Sequence, residues 1–130
     1  MLLDRLLAAE GRAVLAELPD GPLGPDEALR LGTRLRGRHP PELVAAAIAQ
    51  HELRTRAAGK FAAAGSMWFT REGLEQASAE PLARHRADRY AAFARVADLC
   101  CGIGGDLCAL APGRAAANHP AGSGAPDSGG

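Results

Sequence analysis

The residues with the most chemical content run from position 96 to 106: Val96-Ala97-Asp98-Leu99-Cys100-Cys101-Gly102-Ile103-Gly104-Gly105-Asp106. Glycines follow the acid Asp98 four, six and seven residues later. A nucleotide-like ligand lying over the carboxyl end of a strand needs the backbone to approach closely. Glycine permits the turn and removes the Cβ that would block that approach. A helix starting just after the turn adds N–H groups that suit a carboxylate. The spacing differs from the dinucleotide fingerprint G-x-G-x-x-G, and the loop lacks the Lys-Ser/Thr of a phosphate-binding P-loop.

Other chemistries find less support. Cys100, Cys101 and Cys108 include no C-x-x-C pair, and adjacent cysteines rarely bridge each other, so neither a disulfide framework nor a zinc site is expected. A nucleophilic Cys100 or Cys101 would need a base, and none is identifiable. His39, His51 and His119 have no Cys, Asp or Glu at ligand spacing, and His85, inside Arg84-His85-Arg86, reads as a satisfied or exposed helix histidine with no catalytic role. Asp98 and Asp106 flank the loop, and no argument from spacing turns both toward one cleft. No catalytic or metal-binding residue is therefore assigned. Trp68 and Phe69 read as packing anchors, and Thr70 as a helix N-cap.

The elements that must position the loop are mostly helical. Leu3, Leu6, Leu7, Val14, Leu15 and Leu18 recur at helical intervals and predict one amphipathic helix over 2–18, ended by Pro19-Asp20-Gly21-Pro22. Pro25-Asp26-Glu27 opens a second helix running to about Arg36. A third is expected from about Pro41 to Ala58, with an extension through Gly59 to Ala63 also open. Thr70 caps a helix over 71–77. Pro81 opens another over 81–93, with Leu82, His85, Tyr90 and Phe93 as its inner face. The texture then changes. Arg95 to Cys100 is short, apolar and β-compatible, and Asp106 to Ala111 reads as the first turns of a helix. The expected fold is mainly α: a helical region over 1–94, an incomplete β-loop-α unit over 95–111 that is the opening of a doubly wound, Rossmann-like α/β domain, and a disordered tail over 112–130. That tail holds three Pro and five Gly but no Leu, Ile, Val or aromatic residue, too little apolar surface to offset its ordering entropy.

The 130 residues carry a formal net charge of zero, so no global field favours nucleic acid or membrane. The charge is uneven: residues 1–27 hold two basic and six acidic side chains, and residues 28–60 hold seven basic and two acidic ones. This allows a basic face, although arginines coating solvated helix faces are the favoured explanation. No apolar run is long enough to span a membrane and no secretory leader is evident, so a cytoplasmic location is expected.

Asp98-Leu99-Cys100-Cys101-Gly102-Ile103-Gly104-Gly105-Asp106 resembles motif I of class I S-adenosylmethionine (SAM)-dependent methyltransferases. The wording is closest to the trimethylguanosine synthase-like branch and to related bacterial enzymes with a THUMP-like domain. Met67 to Ala77 and the helical lead-in are similar to the latter, so the resemblance spans about residues 1–111. It implies SAM as cofactor and RNA or another nucleic acid as partner, with no membrane. It also implies a cofactor pocket shaped by Asp98, Cys100, Cys101, Gly102, Gly104 and Gly105. Asp98 would meet the amino group of the methionine moiety, directly or through water. The later strands of such enzymes, with a ribose-binding acid and an Asp/Asn-Pro-Pro motif, have no counterpart in the sequence. The change of texture at Pro112 therefore raises the expectation of a truncated or frameshifted product, inactive alone. A non-catalytic helical interaction module and a pseudogene remnant are the alternatives.

Overall fold

A computed structural model describes residues 2–111 of the chain, and the expectations for 112–130 lie outside the described residues. Seven α-helices follow one another: α1 (Leu2–Leu7), α2 (Ala9–Ala16), α3 (Pro25–Arg36), α4 (Pro41–Ala57), α5 (Arg71–Gln76), α6 (Glu80–Arg89) and α7 (Gly105–Leu110). A 3-10 turn, Ala64–Ser66, lies between α4 and α5. The mainly α character matches the expectation from sequence.

The single helix expected over 2–18 is two helices. The chain breaks at Ala8, whose backbone is extended (φ −73°, ψ 175°). The cause is Gly11: a Cβ there would fall 2.2 Å from the carbonyl oxygen of Leu6. Only glycine lets the start of α2 fold this closely against α1. The two helices are then tied by Arg12 Nε, which donates to the Leu7 carbonyl at 3.1 Å, and by an Arg5–Glu10 ion pair at 3.0 Å. Both α3 and α4 start at a proline, where the missing N–H is no loss. α4 ends at Ala57, and the possible extension to Ala63 is replaced by a turn in which Lys60 N and Phe61 N both donate to the Ala57 carbonyl.

Two hydrophobic clusters form. The first joins Leu6, Val14, Leu18, Leu31, Leu35, Leu43, Val44 and Ala47 from α1–α4 and the turn after α2. The second joins Ala57, Phe61, Ala64, Phe69 and Leu74, with Ile103 of the glycine loop packed against it. α4 serves both, through Leu43, Val44 and Ala47 at one end and Ala57 at the other. Between them lies buried Gln50. With its amide oriented to match donors to acceptors, Gln50 donates to the Phe69 carbonyl at 3.1 Å and accepts from Phe69 N at 3.0 Å. The pair of bonds holds the segment before α5 against α4.

The strand expected at 95–100 does not form. Among the described residues there is no strand, and Arg95–Asp98 has no regular structure. The sequence there is β-compatible, but a strand exists only as a partner in a ladder, and none of the described residues offers it one. The glycine turn and the helix after it are present.

Candidate functional site

The glycine loop is built from two kinds of glycine. Gly102 (φ +54°) and Gly104 (φ +80°) are in the left-handed region that L side chains rarely adopt, and a Cβ on either would meet no atom within 4 Å. Their backbone therefore faces open space. Gly105 has an ordinary φ but lies under Phe61, where a Cβ would come within 3.4 Å of the ring. The first two shape the turn and leave it bare, and the third packs beside Phe61 of the second cluster, where a Cβ would make an ordinary contact. Gly104 N donates to the Cys101 carbonyl at 2.7 Å, which closes the turn.

Three contacts from earlier parts of the chain hold this loop. Ile103 sits over Gly73 of α5, where a Cβ would fall 2.1 Å from its Cγ2. Gly73 N in turn donates to Thr70 Oγ1 at 3.0 Å, so Thr70 caps α5 as its type and position suggest. Gly105 packs under Phe61. Arg86 of α6 pairs with Asp106 at 2.5 Å and with Ser78 Oγ at 2.5 Å.

α6 spans Glu80–Arg89, shorter than expected, and its inner face is rotated by one residue, about 100° of helix. Leu82, His85 and Phe93 are exposed, and Ala83, Arg86 and Ala87 face inward instead. The small alanines let α7 come close, which a Leu82 face would not. Tyr90 is also exposed but lies along this groove, its ring 6.3 Å from that of Phe93.

α6, the segment before the glycine turn and α7 line an open cavity of about 350 Å³. Asp98, Cys100 and Asp106 all line it, with Arg86 and Tyr90. Asp98 and Asp106 thus do face one cavity, a placement that spacing alone did not give. Asp98 Oδ1 accepts from Cys100 N at 3.1 Å, which fixes the entry to the turn. Asp106 Oδ1 is buried with no hydrogen-bond partner, although its other oxygen is paired to Arg86. Gly105 lines a neighbouring cavity of about 580 Å³ with Phe61, Glu80 and Cys108. Cys101, Gly102 and Gly104 line neither. The six residues expected to shape the pocket are therefore contiguous on one turn, with Asp98 and Cys100 on its cavity side and Gly102 and Gly104 on its open side. The Asp98 carboxylate and the bare backbone of Gly102 and Gly104 thus flank one short turn.

All three cysteines are exposed thiols, and among the described residues no group of His, Cys, Asp and Glu side chains could hold a metal ion. Trp68 packs against the first cluster and lies under the Arg54 guanidinium, 4.6 Å from its ring centroid. Arg54 also donates to the Met67 carbonyl at 2.9 Å, and partial burial pushes its pKa down. Among the described residues no helix is long and apolar enough to cross a membrane.

Comparison with known proteins adds two findings. A family described as a domain of unknown function, DUF8688, matches residues 2–57, the segment that forms α1–α4. Two curated proteins of Mycobacterium tuberculosis, from strains CDC 1551 and H37Rv, are each 50% identical over 64 residues. Both are described as uncharacterized S-adenosylmethionine-dependent methyltransferases. The match covers 45% of this chain but 18% of each relative, so the chain spans under a fifth of their length. Over that stretch the chain is similar to SAM-dependent methyltransferases. No solved structure matches.

Proposed function

We propose that the chain carries the helical lead-in and the methionine-binding loop of a SAM-dependent methyltransferase. The observation that carries this reading is the turn at 102–104, with two left-handed glycines open to space directly after the carboxylate of Asp98. The 50% identity to methyltransferases over 64 residues supports it. When bound, SAM supplies an electrophilic methyl group. Asp98 would hold the ammonium of its methionine moiety, and the backbone at Cys100–Gly104 would lie along it. Gly102 and Gly104 would keep side chains out of its place.

Among the described residues no strand carries an acid that could meet the ribose, and the sequence has no Asp/Asn-Pro-Pro segment for a methyl acceptor. We therefore expect weak SAM binding and no methyl transfer by this chain alone. Titration of the 15N-labelled chain with SAM is expected to shift amides of residues 98–106. Gly104→Val, which forces a β-branched residue to φ +80°, is expected to abolish those shifts. Unchanged spectra for the unsubstituted chain at millimolar SAM would count against the reading.

A second reading, a helical interaction module, has its own support. The DUF8688 match is confined to residues 2–57, and these form most of the first cluster. Arg30, Arg34 and Arg36 of α3 are exposed and make no ion pair among the described residues, a face suited to phosphates of RNA or another nucleic acid. Fluorescence anisotropy with single-stranded RNA tests this: binding that weakens steeply with salt and on Arg30→Glu/Arg34→Glu supports it, and salt-independent or absent binding removes it.

A further inference from the structure

We infer that Arg86 is a positioning residue for the cofactor loop, a latch by which α6 sets the place of α7 and of the glycine turn before it. The inference rests on the reading of that turn as a SAM site.

Arg86 reaches two ways. One guanidinium nitrogen donates to Asp106 Oδ2 at 2.5 Å and another to Ser78 Oγ at 2.5 Å. Ser78 lies just before α6, so the guanidinium is braced from behind before it engages the loop. Asp106 is the second residue of α7, one place after Gly105. Holding Asp106 therefore fixes the end of the turn at which Gly102 and Gly104 present bare backbone. Both partners are half-buried, with side-chain exposures of 38% and 36%. The pair is shielded enough to hold a geometry, which a fully solvated pair does not do reliably. Lysine, a point charge with no planar fork, would not span Ser78 and Asp106 together.

The other two tethers act elsewhere. Ile103 over Gly73 and Gly105 under Phe61 are apolar contacts that press the loop onto the second cluster. Neither fixes the α7 acid or the cavity that Asp106 shares with Asp98. Without Arg86, α7 would keep its docking surface but lose its angle, and Asp106 would be a half-buried carboxylate with neither oxygen paired.

The test uses the full chain. Hydrogen exchange and SAM titration by 15N NMR are compared for the unsubstituted protein, Arg86→Met and Ser78→Ala. Arg86→Met is expected to speed exchange at residues 104–108, leave the amides of α2 and α4 unchanged, and weaken SAM binding on the order of ten- to a hundredfold, as misplacement of a site by about 1 Å does. Ser78→Ala, which keeps the pair and removes only its brace, is expected to fall between. Unchanged exchange and affinity in both variants would overturn the latch while leaving the cofactor reading intact. Faster loop exchange with unaltered affinity would overturn it as well. An unsubstituted chain that leaves SAM free would overturn the cofactor reading, and with it the role given to Arg86.

Discussion

At the scale of single residues, glycine decides most. Gly102 and Gly104 were recognisable as turn residues from their place after Asp98. Gly73 was not, because its reason is a distant side chain, Ile103, that sequence spacing cannot bring to it. Gly73→Ala sets two effects against each other. Helix propensity favours alanine by about 0.8–1.0 kcal/mol. A Cβ 2.1 Å from Ile103 Cγ2 must expel that side chain, and overpacking costs about 1–3 kcal/mol. Urea denaturation is expected to show a net loss of stability, and the loss is expected to shrink when Ile103→Ala is added, while Thr70 Oγ1, 2.9 Å from the same Cβ, still opposes the alanine. Glu80 provides a pH-dependent counterpart. Its carboxylate accepts from Ala62 N at 2.8 Å and pairs with Arg84, and chiefly the first of these holds its pKa below the ordinary 4.5. A depressed acid stabilises the fold above its unfolded-state pKa, and that contribution disappears as pH falls through the folded-state value. Denaturation midpoints of Glu80→Gln are therefore expected to change less on acidification below pH 4.5 than those of the unsubstituted protein.

At the scale of elements, proline starts and apolar periodicity made α3 and α4 legible almost to the residue. The break at Ala8 was hidden because Leu3, Leu6 and Leu7 keep helical spacing with Val14 and Leu15 across it. The inner face of α6 differs from the one expected because close helix packing, not side-chain size, decides burial there and turns Ala83 and Ala87 inward. The strand expected over 95–100 is absent although its composition suits one, because pairing is a property of two segments and composition reports on one. Lys60 was missed altogether. It is the sequence's single lysine, and its Nζ donates to the carbonyls of Leu74 at 2.7 Å and Ala77 at 2.9 Å, at the end of α5. The cue was a lysine followed at short range by a helix too brief to satisfy its own carbonyls. Lys60→Met keeps the aliphatic stem and removes the donors. It is expected to destabilise the protein by about 1–3 kcal/mol, as charged hydrogen bonds to buried acceptors do, measured by thermal and urea unfolding.

At the scale of the whole molecule, two apolar clusters share one long helix, and the loop belongs to the second. Leu43 is fully buried in the first, so Leu43→Ala is expected to cost about 2–5 kcal/mol. That is a large share of the roughly 5–15 kcal/mol available to a small domain. Circular dichroism should show the loss of helix, and the exchange rates of α5 and α7 should rise with those of α2. A rise confined to α1–α4 would mean that the clusters unfold independently. Leu99 is 92% exposed, and Leu82, Phe93 and Leu107 are exposed near it in sequence.

The amide of Gln50 imitates a peptide group. It grips Phe69 by main-chain atoms alone, as a neighbouring strand would, and ignores what side chain that residue carries. The grip would survive any exchange at position 69 that retains an N–H, and proline is the one amino acid that would undo half of it while leaving Gln50 itself untouched.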